Sequence, residues 1–225
     1  MLYARYLDST KTKRMMAWAG PLKPKRVLDA CGGGGEITLA AIEDAALVVY
    51  VDQEEKMLSP RLKGIRREAA ARGYTGEVPR NLMFSIEPIQ LFLSSPPPNF
   101  TTGLGGFDVV FCQQAINYWL NPETAKQLAA LMKSGGVFIF NTFANRPPKE
   151  PFVRQYGLNG RHYVETSWMV EDDMVHHVQV ASGLSPHTTI FKWMSADTLK
   201  TILSPHFHVT YKKMDQALYV KCTKI

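Results

Sequence analysis

Residues 27–40 read VLDACGGGGEITLA, and the four consecutive glycines at their centre constrain the fold more than any other stretch. Glycine gives up more backbone freedom on folding than any other residue. Four together mark a bend where side chains are not tolerated. An apolar run, the glycines and a helical pattern from Glu36 read as strand, turn and helix. Residues 46–51, ALVVYV, make a second apolar and β-branched run that ends at Asp52, and helix is expected from about residue 54 to 72. The alternation continues with a strand over 81–86 (NLMFSI), a turn-rich stretch over 94–106 (SSPPPNFTTGLGG) and a strand over 107–112 (FDVVFC). A helix in PETAKQLAALM, the Gly135-Gly136 pair and a strand over 137–143 (VFIFNTF) follow. Strands with little polar alternation, each followed by a helical pattern, belong to a parallel sheet covered on both faces. Right-handed crossovers wind such a sheet in both directions.

After NRPPKEP at residues 145–151 the texture changes. Residues 161–170 and 174–181 alternate like antiparallel strands joined across Glu171-Asp172-Asp173, and 188–194 makes a third. Ser195 is placed to cap a short helix, ADTLKTIL. The last residues form two strands joined through Lys213, Met214, Asp215 and Gln216. The expected fold is α/β: a doubly wound, mainly parallel seven-stranded sheet with a terminal antiparallel hairpin, plus a small antiparallel substrate-cover insertion over 146–195. One domain is expected over 1–225, opening with a helical segment over 1–25.

Open parallel sheets bind ligands outside the carboxyl ends of their strands, where the strand order reverses. A bare turn lets the backbone touch a ligand, and the following helix offers free N–H groups. Asp52, closing the next strand, can accept both hydroxyl protons of a ribose. Glycines and carboxylate together point to a nucleoside-bearing ligand, against the alternative of a purely structural turn. The dinucleotide fingerprint G-x-G-x-x-G is not met, since Ile37 and Thr38 stand where its third glycine belongs. Asp29 would repel a diphosphate but suits an amino group. No G-x-x-x-x-G-K-[ST] is present.

VLDACGGGGE resembles the first motif of the class I S-adenosylmethionine-dependent methyltransferases, hh-D-x-G-x-G-x-G. VVYVDQEEKML resembles their second motif, and FDVVFCQQAINYWLNPETAKQLAALMKSGGVFIFNT their segment from the fourth to the fifth strand. The likeness covers residues 20–145 and departs from the pattern at Cys31, where a glycine or other small residue is usual. It implies S-adenosyl-L-methionine as cofactor and methyl transfer by in-line displacement to a small-molecule acceptor. It also implies roles. Asp29, Gly33 and Gly35 would surround the methionine end, and Ala30 and Cys31 would also be cofactor-binding. Asp52 would hold the ribose, with Gln53 beside it and Met57 against the adenine. Glu87 would approach the adenine amino group, with Pro88 and Ile89 lining the ring; a solvated Glu87 is the alternative. Gln113 would touch the methionine portion, or would with Gln114 simply be polar entry to a helix. Tyr6 or Tyr3 would fold over the cofactor, or would be ordinary core or surface tyrosines. An RNA or protein methyltransferase and a non-catalytic cofactor-binding protein are the rival readings.

A hydroxyl acceptor would need a general base within hydrogen-bond reach. Candidates are His177, His176 and Tyr118, with His162, Tyr163 and Glu165. In MVHHVQVA the alternation sets His176 with Val178 and Val180, which reads as an inward, apolar face for His176. Adjacent strand histidines face opposite ways, so a His-His metal pair is not expected. Asn117 and Tyr118, just past the fourth strand, are the expected acceptor-facing pair, and Trp168, Phe191 and Trp193 a lid or core. The net charge of +6 is scattered, as on solvated helix faces rather than a nucleic-acid stripe. No apolar stretch reaches the ~18 residues of a membrane span, no export signal is apparent, and Cys31, Cys112 and Cys222 read as reduced thiols. A cytoplasmic protein is expected.

Overall fold

A computed structural model of the chain describes residues 9–72, 81–96, 98, 106–158, 161–183, 185–214 and 217–225. Helix α1 (Ser9–Ala19) leads into β1 (Arg26–Ala30), α2 (Glu36–Ala41) and β2 (Leu47–Val51). Helix α3 (Pro60–Arg72), β3 (Leu82–Ser85), α4 (Ile89–Ser94) and β4 (Phe107–Gln113) follow, then α5 (Pro122–Leu131) and β5 (Met132–Phe143). The helix expected over 54–72 is broken: a short 3-10 turn at Glu55–Met57 precedes α3. Pro60 explains the break, since it has no N–H to continue a helix and its fixed φ suits a first turn. Asn121 starts α5 sharply. Its side chain accepts the Thr124 N–H at 3.0 Å while Thr124 Oγ1 accepts the Asn121 N–H at 2.9 Å, a reciprocal cap typically worth ~1 kcal/mol.

The strands form a seven-stranded sheet in the order β10-β11-β5-β4-β1-β2-β3, where β10 is Phe207–Met214 and β11 Ala217–Lys224. β1, β2, β3, β4 and β5 run parallel, and β11 and β10 return antiparallel, so the expected terminal hairpin closes the sheet. Every residue of β1 is buried, as a central strand between two helical layers requires. One layer packs Met15 of α1, Ile37 of α2 and Leu62 of α3 on the sheet. The other packs Phe92 of α4, Leu128 of α5 and Leu199 of α6 (Ala196–Leu203). The chain crosses from one side of the sheet to the other between β3 and β4, so β1 and β4 flank the switch point.

A separate antiparallel sheet, in the order β6-β7-β8-β9, is built from Phe152–Leu158, Arg161–Glu171, Met174–Ala181 and His187–Lys192. β6 was not expected: Phe152, Val153, Arg154 and Gln155 are all exposed on this edge strand, so no buried face stamps a pattern on it. The face assigned to His176 is corrected. Val175, His177, Gln179 and Ala181 are the buried side of β8, while His176 turns to the other face and meets the Trp168 ring edge-on at 4.4 Å. That outer face is apolar yet open, with Val153, Val170, Val180 and Ile190 all exposed. Asn117 ties the two sheets, its Nδ2 donating to Lys192 O at 2.6 Å and its Oδ1 accepting from Thr142 Oγ1 of β5. Among the described residues, no helix is long and apolar enough to cross a membrane.

Candidate active site

The chain leaves β1 through Cys31, whose φ of 58° is left-handed. A non-glycine residue pays about 1 kcal/mol there, so the one departure from the glycine pattern sits where glycine would be least strained. Gly32 has no freedom to carry a side chain: a Cβ would lie 2.5 Å from the Tyr50 ring and 3.0 Å from Asp29 Oδ2. Gly35 (φ 79°) precedes α2, and a Cβ there would strike Leu62 of α3. Tyr50 holds the loop from beneath, its hydroxyl donating to Gly33 O at 2.8 Å.

Asp52 spans the same loop from the side. Its Oδ2 accepts the Gly33 N–H at 2.9 Å and its Oδ1 the Glu54 N–H at 2.9 Å. Each carboxylate oxygen has two lone-pair directions, so both can still accept a hydroxyl from a ligand. Burial pushes the Asp52 pKa up from its ordinary value, and the two backbone donors partly offset this. Asp29 is more deeply enclosed, at 1% exposure. Its Oδ2 accepts from Thr38 N at 3.0 Å and Thr38 Oγ1 at 2.6 Å, pinning the start of α2. Burial raises its pKa to about 6, against the pull of the Thr38 hydrogen bonds. Burial likewise raises the Tyr50 phenol, reinforced by the Asp52 and Asp29 charges. The Cys31 thiol is raised by its hydrogen bond to Cys112 and by burial.

Helix α1 closes the loop from above. Thr12 Oγ1 lies 2.9 Å from both Glu36 Oε2 and Gln113 Oε1, and its single proton is shared between these acceptors. Thr10, Lys11 and Arg14 bring the same helix to the cavity wall, which no sequence motif announced. Gln114, also left-handed at φ 58°, donates its N–H to Asn141 Oδ1 at 3.1 Å, so the end of β4 is fixed to β5.

These groups line a cavity of about 1090 Å³ that runs from the glycine loop to the inner face of the second sheet. Asp29, Cys31, Gly33, Asp52, Gln53, Met57 and Gln113 line it, as do Tyr118, Asn117 and Ile89. Ala30 is fully buried within β1 and Gly35 faces Leu62, so neither is part of the wall. Glu87 accepts the Ser85 hydroxyl on one oxygen and Pro88 is exposed, and neither is among the residues that line the cavity. Tyr3 and Tyr6 lie outside the described residues. On the far wall stand His177, Glu165, Gln179 and Thr189, with Arg154 and His187 beside them. Gln179 Nε2 donates to Glu165 Oε1 at 2.7 Å, and His177 Nδ1 is 2.7 Å from Ser167 Oγ. His162 is exposed and Tyr163 is core. Among the described residues, no three His, Cys, Asp or Glu side chains are grouped to hold a metal.

The cavity passes the test for a nucleoside with a cationic tail. Its floor is the glycine loop, where Gly32, Gly33 and Gly34 bring bare backbone to the cavity and Cys31 adds one small side chain. Carboxylates stand on both sides, Asp52 with open lone pairs and Asp29 behind the turn. A mainly parallel sheet closed by an antiparallel hairpin, with this loop and this acid at the ends of its first two strands, defines the class I, Rossmann-like methyltransferase architecture. Residues 3–205 match the methyltransferase-domain family model, and the chain belongs to that family.

The chain is 32% identical over 148 residues to the ubiquinone biosynthesis O-methyltransferase of Bordetella avium, covering 65% of this chain and 52% of that protein. It spans about half the length of the curated relatives it matches. An S-adenosylmethionine-dependent methyltransferase from Clostridium acetobutylicum superposes with a TM-score of 0.67 at 14% identity, over 99% of this chain and 94% of that one. The CcbJ methyltransferase from Streptomyces caelestis gives 0.68 at 14% identity, over 99% and 98%. At such identity the likeness is one of fold.

Proposed function

We propose that this protein is an S-adenosylmethionine-dependent methyltransferase acting on a small-molecule acceptor. The observation that carries the reading is Asp52, which braces the glycine loop through Gly33 and Glu54 and keeps lone pairs directed to the cavity. When bound, S-adenosylmethionine supplies a methyl group already activated on a sulfonium, so the protein is asked for alignment and a pocket closed to water. Asp52 holds the ribose hydroxyls, with Gln53 beside them and Met57 against the adenine. Cys31, Gly33 and Gln113 contact the methionine portion, and Asp29 sets the negative potential beneath it. Helix α1 covers this end through Thr12, and Lys11 and Arg14 offer cations to a carboxylate. The substrate cover is the second sheet, whose inner face looks across the same cavity. The family membership, the curated O-methyltransferase relative and the fold of the solved neighbours support the reading.

Calorimetric titration with S-adenosylhomocysteine tests it. Asp52→Ala is expected to weaken binding by about 1–3 kcal/mol, the range for a lost charged hydrogen bond, with Asp52→Asn weakening it less. An unaltered dissociation constant in Asp52→Ala would remove the ribose assignment, and no binding by the native chain would remove the function. Binding without turnover of any acceptor in a broad screen would leave a protein that only holds the cofactor.

A further inference from the structure

The cavity wall opposite the glycine loop has two textures side by side. Phe143 and Phe191 stack nearly parallel, with ring centroids 5.0 Å apart and planes 6° apart, and Tyr118 stands edge-on to Phe191 at 5.9 Å. Although both line the cavity, Tyr118 and Phe143 keep 43% and 38% of their surface exposed. Aromatic faces left open inside a pocket are the complement of a flat apolar body. Beside them the wall is polar. His177 pairs in register with Thr189 across β8 and β9, and Ser167 lies across β7 from His177. The Thr189 hydroxyl oxygen is closed off from solvent and, among the described residues, meets no hydrogen-bond partner. An oxygen closed to water is equally closed to a ligand in the open cavity, so the hydrogen-bonding group this part of the wall offers is His177, which lines it.

We infer that the acceptor is a hydroxylated aromatic ring, held against Tyr118 and Phe143 with its hydroxyl edge at His177, and that His177 takes the hydroxyl proton. This rests on the methyltransferase reading above. In the tautomer required, Nδ1–H donates to Ser167 Oγ, which leaves the Nε2 lone pair as acceptor. The balance is simple: the acceptor O–H breaks with its proton passing to Nε2, and the oxygen's electron pair forms the O–CH3 bond. The S–CH3 bond breaks with its pair staying on sulfur, and the imidazolium later loses the proton to solvent. Burial lowers the His177 pKa, so the ring is neutral at pH 7 and free to accept. The charged groups around it are Glu165 on β7, which opposes that shift, His176 on β8 and His187 on β9, which reinforce it, and Arg154 across from Glu165 on β6. Ser167 is a positioning residue.

Binding and turnover separate the claims. Catechol, veratrole and cyclohexane-1,2-diol are titrated calorimetrically into the protein, alone and saturated with S-adenosylhomocysteine. Catechol is expected to bind at least tenfold tighter than either analogue, since one lacks the hydroxyls and the other the aromatic ring. His177→Gln should keep catechol affinity within about threefold, yet slow methyl transfer by about 10²–10⁴-fold and abolish the acidic limb of the kcat/KM profile. Ser167→Ala, a milder change, should lower kcat several-fold with KM little altered, and covers the case in which His177→Gln does not fold. Equal binding of the three probes, or an intact acidic limb in the histidine variant, overturns the proposal. Loss of S-adenosylhomocysteine binding by the native chain would instead strike the function on which it rests.

Discussion

The two sheets of this molecule solve the problem of making a site in opposite ways. The seven-stranded sheet buries both faces under helices and keeps its chemistry at strand ends, where Cys31, Gly33 and Asp52 sit. The four-stranded sheet turns one whole face into a wall, so His177, Gln179 and Glu165 point inward while Val180 and Ile190 face out. In the first, the site and the core share residues. In the second, the wall is polar and its support comes from a few ties, Asn117 chief among them. Damage to the first should therefore strike fold and binding together, and damage to the second should strike turnover alone.

The largest expected effect tests the first half of that contrast. Gly32→Ala would drive a Cβ into the ring of Tyr50, which is fully buried and bonded to Gly33 O. Overpacking of that kind typically costs ~1–3 kcal/mol, and here no side of the ring is free to yield. Urea unfolding should show a loss near the upper end of that range, and calorimetry a fall in S-adenosylhomocysteine affinity of more than tenfold. A variant that loses affinity while keeping its unfolding midpoint would break the claim that loop and core are one structure.

Legibility in the sequence follows the same division. The first sheet and its site could be read because they are local: a strand end, a turn and a helix start lie within residues 27–40, and Asp52 closes the next apolar run. Periodicity reports burial, and these strands are buried on both sides. The second sheet defeats that logic. His176 with Val178 and Val180 looked inward because apolar residues mark the core side, but here the inner side borders a polar cavity and the valines lie outside. β6 was missed because an exposed edge strand carries no burial pattern. The latch of Thr12 to Glu36 and Gln113 joins residues far apart in the chain, which no window of sequence connects.

A second prediction sharpens the contrast through pH. Asp29 is folded into the first sheet with its pKa raised to about 6, from 3.8 in the unfolded chain. The folded state therefore holds the proton more tightly, and the stability this contributes is complete below about pH 4 and lost as pH rises through 6. A shift of this size corresponds to about 3 kcal/mol at most. Asp29→Asn keeps an oxygen for Thr38 and removes the charge. Its stability should be flatter between pH 4 and 6 and higher than the native chain's at pH 7, by about 2 kcal/mol. Denaturation curves across that range check it, and parallel curves would show that Asp29 is not enclosed as described.

The smallest expected effect is the most discriminating, because it concerns two neighbouring histidines on opposite faces of one strand. His176 touches Trp168 on the open side of the second sheet and does not line the cavity. Removing one half-exposed ring contact there should cost less than ~1 kcal/mol. His176→Ala should therefore shift the unfolding midpoint slightly and leave the kcat/KM profile where it was, apart from a small rise in the His177 pKa as a like charge is lost. If His176→Ala instead slowed turnover as much as His177→Gln, the inner face would not be the working one. The correction from the apolar to the polar side of β8 would then have to be reversed, because alternation allows only one of the two rings to reach the cavity.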